Sequence, residues 1–297
     1  MPARFPYKPL IATEASESQA QPDVQPGCRL LAQRPGGRYT WALGDSYILK
    51  DRRYEPGAEV EIQNASFVAG GFAGRLDLPQ IPQVEVCWRD GDRFFIVQRR
   101  VEGESLEHAL PTLGPDDIAR IGDQVGQSLL HLKIFISAVM AKLDGRPVDD
   151  FRLLKPLPDS SSGSYSVCRS DSDLASMLGL SIANRLDKPT FDAFMARMPS
   201  GKPFTFSHSD VHEGNIMVKD GNFSGLTNWE LAGFYPSWWE YVNSCPLLSP
   251  YFPTKIQDHE ALKWFRVYHA IRDGPDEEVD SRVNGYLEGR AWEEDVA

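Results

Sequence analysis

The dominant hydrophobic periodicity of this chain changes near residue 100, and the change sets what it can fold into. From residue 28 to 98 the apolar residues run in short strand-like stretches, 28–32, 38–43 and 46–50, broken by Pro35-Gly36-Gly37 and Gly44-Asp45. One helical period, 58–72, follows, with Val60, Asn64, Phe67 and Val68 on one side and Glu59, Glu61 and Gln63 elsewhere. Residues 84–89 and 93–98 then read as a hairpin across Asp90-Gly91. Beyond residue 101 the period lengthens. A helix after Gly114-Pro115 carries Ile118, Ile121, Val125, Leu129, Leu132 and Phe135, and further helical patterns lie at 173–180, 188–198 and 256–272. The expectation is an α+β chain: a five-stranded antiparallel sheet with one inserted helix, then a mainly helical lobe. The divisions fall at 1–27, a proline-rich tail; 28–103, the sheet unit and a hinge; and 104–297, the helical lobe.

Charge narrows the partners. Thirty-one Lys and Arg against 42 Asp and Glu leave a formal charge of −11, which disfavours a nucleic-acid backbone or an anionic membrane surface. A small-molecule substrate remains open, because net charge says nothing about one cleft. Cys28, Cys87, Cys168 and Cys245 show neither zinc spacing nor a disulfide framework. The most apolar stretch, 129–141, is too short to span a bilayer, and no apolar signal core opens the chain. A cytoplasmic monomer or homodimer is the expectation.

The most informative block is 204–242. Strand-like stretches at 204–206 and 216–218 flank a polar loop, and Asp220-Gly221 turns the chain into a third strand ending at Asn228. The loop holds His208, Asp210 and Asn215, the H-x-D-x-x-x-x-N arrangement of kinase catalytic loops. In that arrangement the Asp orients or accepts the proton of an attacking hydroxyl, and the Asn oxygen binds magnesium on a nucleotide's phosphates. His208 reads as an anchor of the loop, and His212 as an exposed loop histidine. Trp238, Trp239 and Tyr241 read as packing residues.

These residues resemble the aminoglycoside phosphotransferase and choline kinase-like family, fungal members in particular, over most of the chain. The family's H-G-D-L-H-P-x-N-I is matched by His208, Asp210, His212, Asn215 and Ile216. Its I-D-W-E-x-A-G-x-Y-P-x-x-W-E-Y is matched by Trp229-Glu230, Ala232-Gly233, Tyr235-Pro236 and Trp239-Glu240-Tyr241, with Asn228 where the family has Asp. The resemblance implies a protein kinase-like two-lobe fold and use of ATP and Mg²⁺. It implies Asp210 as the catalytic base and Asn215 and Asn228 as metal ligands. It also implies Lys50 paired with Glu61 on the phosphates, Glu59 being the fallback, and the backbone of Gln98, Arg99 and Arg100 on the adenine edge. Pro35-Gly36-Gly37 takes the place of the phosphate-covering turn.

Asn228 divides the functional readings. An amide oxygen can ligate magnesium but brings no charge to it, and Glu230 could lend a carboxylate if the strand continued past Trp229. The leading expectation is an ATP-dependent phosphotransferase acting on a small-molecule hydroxyl. The alternatives are a pseudokinase, or a kinase fold turned to another reaction in which Asp210 or His212 moves a proton. The aperiodic segment 144–172 reads as a substrate-facing loop or a disordered insertion.

Overall fold

The computed structural model describes residues 27–72, 79–148, 150–154 and 166–290. The expected tail therefore lies outside the described residues except for Gly27, as do residues 149 and 155–165 of the aperiodic segment. Strands β1 (Cys28–Arg34), β2 (Arg38–Leu43) and β3 (Tyr47–Arg53) precede helix α1 (Val60–Gly71), and β4 (Val84–Asp90) and β5 (Arg93–Arg99) follow it. They form one antiparallel sheet in the order β1-β2-β3-β5-β4. The β1–β2 turn uses two left-handed residues, Gly36 (φ 77°) and Gly37 (φ 68°), the backbone a tight hairpin requires. In the β3–β5 ladder Lys50 pairs with Ile96 and Arg52 with Phe94. Strand alternation puts Lys50 and Arg52 on one face with the buried Phe94 and Ile96.

Helix α1 departs from its expected faces. Its buried positions are Val60, Glu61, Asn64, Ala65 and Val68, so Glu61, expected away from the apolar side, lies on the buried stripe. A stripe holding a carboxylate and an amide looks only weakly amphipathic by hydropathy alone.

The rest of the chain is mainly helical: β6 (Glu104–Ser105), α2 (Leu106–Ala109), α3 (Pro115–Leu132), β7 (Ile136–Ser137), α4 (Asp171–Gly179), α5 (Lys188–Met195), β8 (Phe204–Ser207), β9 (Ile216–Lys219), β10 (Asn222–Leu226), β11 (Gly233–Tyr235), α6 (Trp239–Asn243), α7 (His259–Asp273) and α8 (Asp276–Leu287). The starts of α4 and α7 follow from their caps, since Ser170 Oγ accepts from Asp173 N and Asp258 Oδ1 from Ala261 N. Two small sheets, β10-β9-β6 and β11-β8-β7, hold the ends of the polar loop. Helix α3 is the expected pillar: Ile121, Val125 and Leu129 are fully buried, in a core that also takes Val68 of α1, Phe206, Ile216 and Trp229. A second core gathers Leu174, Phe194, Trp239 and Trp264, with Phe194 stacked on Trp264 at 5.1 Å. Trp238, Trp239 and Tyr241 are buried as expected. No helix among the described residues is long and apolar enough to cross a membrane.

Candidate active site

Between β8 and β9 the chain folds back on itself around His208. This imidazole is fully buried; its Nε2 lies 3.0 Å from Thr227 O, and its Nδ1 accepts from Asp210 N at 3.2 Å. Burial lowers its pKa to about 4, so it is neutral and spans the loop as one donor and one acceptor. Below it Glu240 accepts from the backbone N–H groups of His208 and Ser209, and burial raises its carboxyl to about 7. Ser209 is left-handed (φ 64°). Its Oγ donates to Asp150 at 2.6 Å and accepts from Trp239 Nε1 at 2.8 Å.

These anchors present Asp210. Oδ2 accepts from Asn215 Nδ2 at 2.8 Å and Asn228 Nδ2 at 3.0 Å, and Oδ1 from Arg152 Nη1 at 3.1 Å. Burial pushes the carboxyl up, yet His212, Arg152, His208 and the Asn215 amide together hold it below the ordinary aspartate value. Since burial lowers the pKa of both histidines, the permanent charge among them is Arg152.

Strand β10 ends at Leu226, two residues short of the expected Asn228, because Asn228 is itself left-handed (φ 68°) and starts a 3-10 turn, Trp229–Leu231. Asn tolerates that backbone better than most residues. The break aims the Asn228 amide at Asp210 on one side, while its Oδ1 accepts from Lys50 Nζ at 3.4 Å on the other. Lys50 also donates to Glu61, so Glu61 and not Glu59 is its partner. Burial raises the Glu61 carboxyl, but Lys50 and Arg52 more than offset this and its pKa is lowered. One chain of contacts, Glu61–Lys50–Asn228–Asp210–Asn215, thus joins α1, β3 and the polar loop. The strand break also redirects Glu230, whose carboxylate meets Arg38 and, at 3.2 Å, Arg52; it lends nothing to the amide pair.

Two further expectations need correction. His212 is not an exposed loop histidine: its side chain is 19% accessible and its Nε2 lies 3.7 Å from Asp210 Oδ2. In the 98–100 stretch Gln98 is buried, while Arg99 N–H donates to Gln83 O at 2.7 Å and Arg100 N–H to Ser46 O at 2.8 Å. Those two donors are already paired with carbonyls of the sheet unit. Sequence reasoning did not connect Asp150 or Arg152, which sit in the aperiodic segment, with the polar loop; no spacing rule links residue 152 to residue 210.

The donor set bears on magnesium. Each amide nitrogen of Asn215 and Asn228 is committed to Asp210, which leaves the amide oxygens as hard donors, that of Asn228 shared with the Lys50 ammonium at 3.4 Å. Among the described residues no group of three or more His, Cys, Asp or Glu could hold a metal. Magnesium keeps much of its shell from water and phosphate oxygens. The two amides therefore fit an ion carried on nucleotide phosphates, and do not fit one held by protein alone.

The fold has solved relatives. The chain aligns with APH(2")-IIIa in its GDP and kanamycin complex at a TM-score of 0.54 and 15% identity, covering 90% of this chain and 93% of that one. It aligns with a thermostable mutant of aminoglycoside phosphotransferase APH(4)-Ia bound to AMP-PNP and hygromycin B at 0.53 and 13%, covering 88% and 93%. For the streptomycin-ATP-APH(2")-IIa ternary complex the values are 0.52 and 14%, covering 88% and 90%. At these identities the likeness is one of fold, the protein kinase-like fold. Comparison with curated protein sequences gave no match. The sequence model of the phosphotransferase enzyme family matches residues 35–279, a span that takes in the sheet unit from β2 onward, the polar loop and the segment after it, and the chain belongs to that family.

Proposed function

We propose that the chain is an ATP-dependent phosphotransferase that moves the γ-phosphoryl group to a hydroxyl of a small molecule, in a cleft between a sheet lobe, 28–103, and a helical lobe, 104–297. The observation that carries this reading is the contact chain Glu61–Lys50–Asn228–Asp210–Asn215, assembled from segments far apart in sequence. Lys50, fixed by Glu61, meets the α- and β-phosphates. Asp210, held ionised, orients the acceptor hydroxyl and takes its proton as the oxygen attacks. Asn215 and Asn228 would hold magnesium through their amide oxygens. When bound, the ion offsets charge on the transferring phosphoryl group. Gln98 to Arg100 line the hinge, with acceptors rather than the Arg99 and Arg100 N–H groups toward an adenine edge. Unpaired cysteines and dependence on ATP suit a reducing, cytoplasmic setting.

The test is calorimetric titration with ATP, with and without magnesium, followed by ADP release assayed across hydroxyl compounds, aminoglycosides included because the solved relatives bind them. Magnesium-dependent binding is expected, and Asp210→Ala should lower turnover by roughly 10²- to 10⁴-fold with ATP affinity retained. Equal turnover in Asp210→Ala would remove Asp210 from the mechanism. A parent that binds no nucleotide would overturn the proposal.

A further inference from the structure

The base is held from a segment that no motif singles out. Asp150 is fully buried, and its carboxylate is saturated. It accepts from Arg152 Nε at 2.8 Å and Nη2 at 2.6 Å as a fork, from Arg152 N at 3.0 Å and from Ser209 Oγ at 2.6 Å. A buried charge with this many donors is a fixed point. The guanidinium it fixes also donates to Ser209 O, and its remaining nitrogen, Nη1, reaches Asp210 Oδ1 at 3.1 Å. The backbone behind it is tied as well, Arg272 Nη1 donating to Arg152 O at 2.8 Å. Arg152 therefore meets Asp210 as a rigid group whose ordering is complete before any substrate arrives. Asn215 and Asn228 hold only Oδ2. With that oxygen as the sole hinge the carboxylate could still rotate, so the direction of Oδ1 is set by Arg152.

We propose that Arg152, braced by Asp150, is a positioning residue for phosphoryl transfer that turns Oδ1 of Asp210 toward the acceptor hydroxyl. The proposal rests on the phosphotransferase reading. A planar fork is what the site uses: three nitrogens serve Asp150, Ser209 and Asp210 together, and a lysine, as a point charge, cannot serve all three.

The experiment is steady-state hydrolysis of magnesium-ATP by the full chain. Arg152→Gln should lower kcat roughly 10- to 100-fold, the usual cost of a misplaced reacting group, with KM for magnesium-ATP unchanged. Arg152→Lys, which keeps the charge and protects against a failure to fold, should recover part of that loss. In an Asp210→Asn background Arg152→Gln should have no further effect, because the two residues act as a unit. Parent-like kcat in Arg152→Gln, a rise in KM alone, or losses that add in the double variant would overturn the proposal. Crystal structures of the parent and of Arg152→Gln decide the positioning independently of turnover. A rotated Asp210 carboxylate supports it, and an unmoved one defeats it even if the parent proves inert toward ATP.

Discussion

Ser209 and Asn228 supply the left-handed backbones on either side of Asp210, and each uses its side chain to hold the conformation. A non-glycine residue there costs roughly 1–2 kcal/mol, and the Ser209 hydroxyl offsets that by bonding Asp150 and Trp239. Ser209→Ala should therefore destabilise the chain by about 1–3 kcal/mol, the cost of leaving buried polar partners short. Ser209→Gly should cost less because it relieves the backbone. Denaturant titration of both variants checks the order, and an equal loss in the two would assign the effect to hydrogen bonding alone. At position 228 the amide donates to Asp210 Oδ2 at 3.0 Å. Asn228→Asp replaces that donor with a like charge, so the metal-free protein should melt lower, while magnesium-ATP should bind more tightly and raise the melting temperature more than in the parent. Strong magnesium-ATP binding that is the same in both proteins would show that 228 is not a metal position. The sequence exposed Asn228 as a departure from the family pattern. Its twist, which ends β10 early and turns Glu230 toward Arg38 and Arg52, depends on φ and was not legible.

Helix α1 is the element that joins the sheet unit to the polar loop. Asn64 Nδ2 donates to Trp229 O at 2.8 Å and Ala232 O at 3.0 Å, so one buried amide closes the turn that follows Asn228. Asn64→Leu fills the space but takes the amide donor from both carbonyls, leaving Trp229 O only the Ala232 N–H at 3.3 Å; a loss of about 1–3 kcal/mol is expected, together with faster amide hydrogen exchange across 229–232. Unchanged exchange in that turn would mean that its geometry is held elsewhere. Helix α1 shows why periodicity reads element type better than element role. Its length and its place between β3 and β4 follow from the apolar spacing. Glu61 and Asn64 sit on the buried stripe because Lys50 and the 229–232 carbonyls wait there, and a hydropathy pattern carries no record of such partners.

For the molecule as a whole, two buried titrating groups beneath the loop work against each other. Glu240, ordinarily 4.5 and raised to about 7, binds its proton more tightly folded than unfolded. Its contribution to stability is therefore lost as pH climbs from 4.5 to 7. His208, ordinarily 6.5 and lowered to about 4, is neutral when folded. Its contribution is present above 6.5 and is lost as pH falls toward 4. The two slopes oppose over the shared window. Glu240→Gln removes one of them, so the stability of that variant relative to the parent should increase between pH 4.5 and 7, measured by denaturant titration at several pH values. A difference independent of pH would show that Glu240 does not titrate in this range.

The sequence by itself determined what depends on near neighbours. The switch from strand to helix period, the five strands and inserted helix, the long α3, and the H-x-D-x-x-x-x-N spacing that brings Asp210 and Asn215 into one loop are all local properties of the chain. Tertiary structure alone decided which groups surround Asp210. Arg152 lies 58 residues from it, Lys50 lies 178 from Asn228, and Arg38 lies 192 from Glu230. A carboxylate's charge state and direction are set by whatever donors and cations lie within a few ångströms through space. Folding brings those groups together, and spacing along the chain does not encode them.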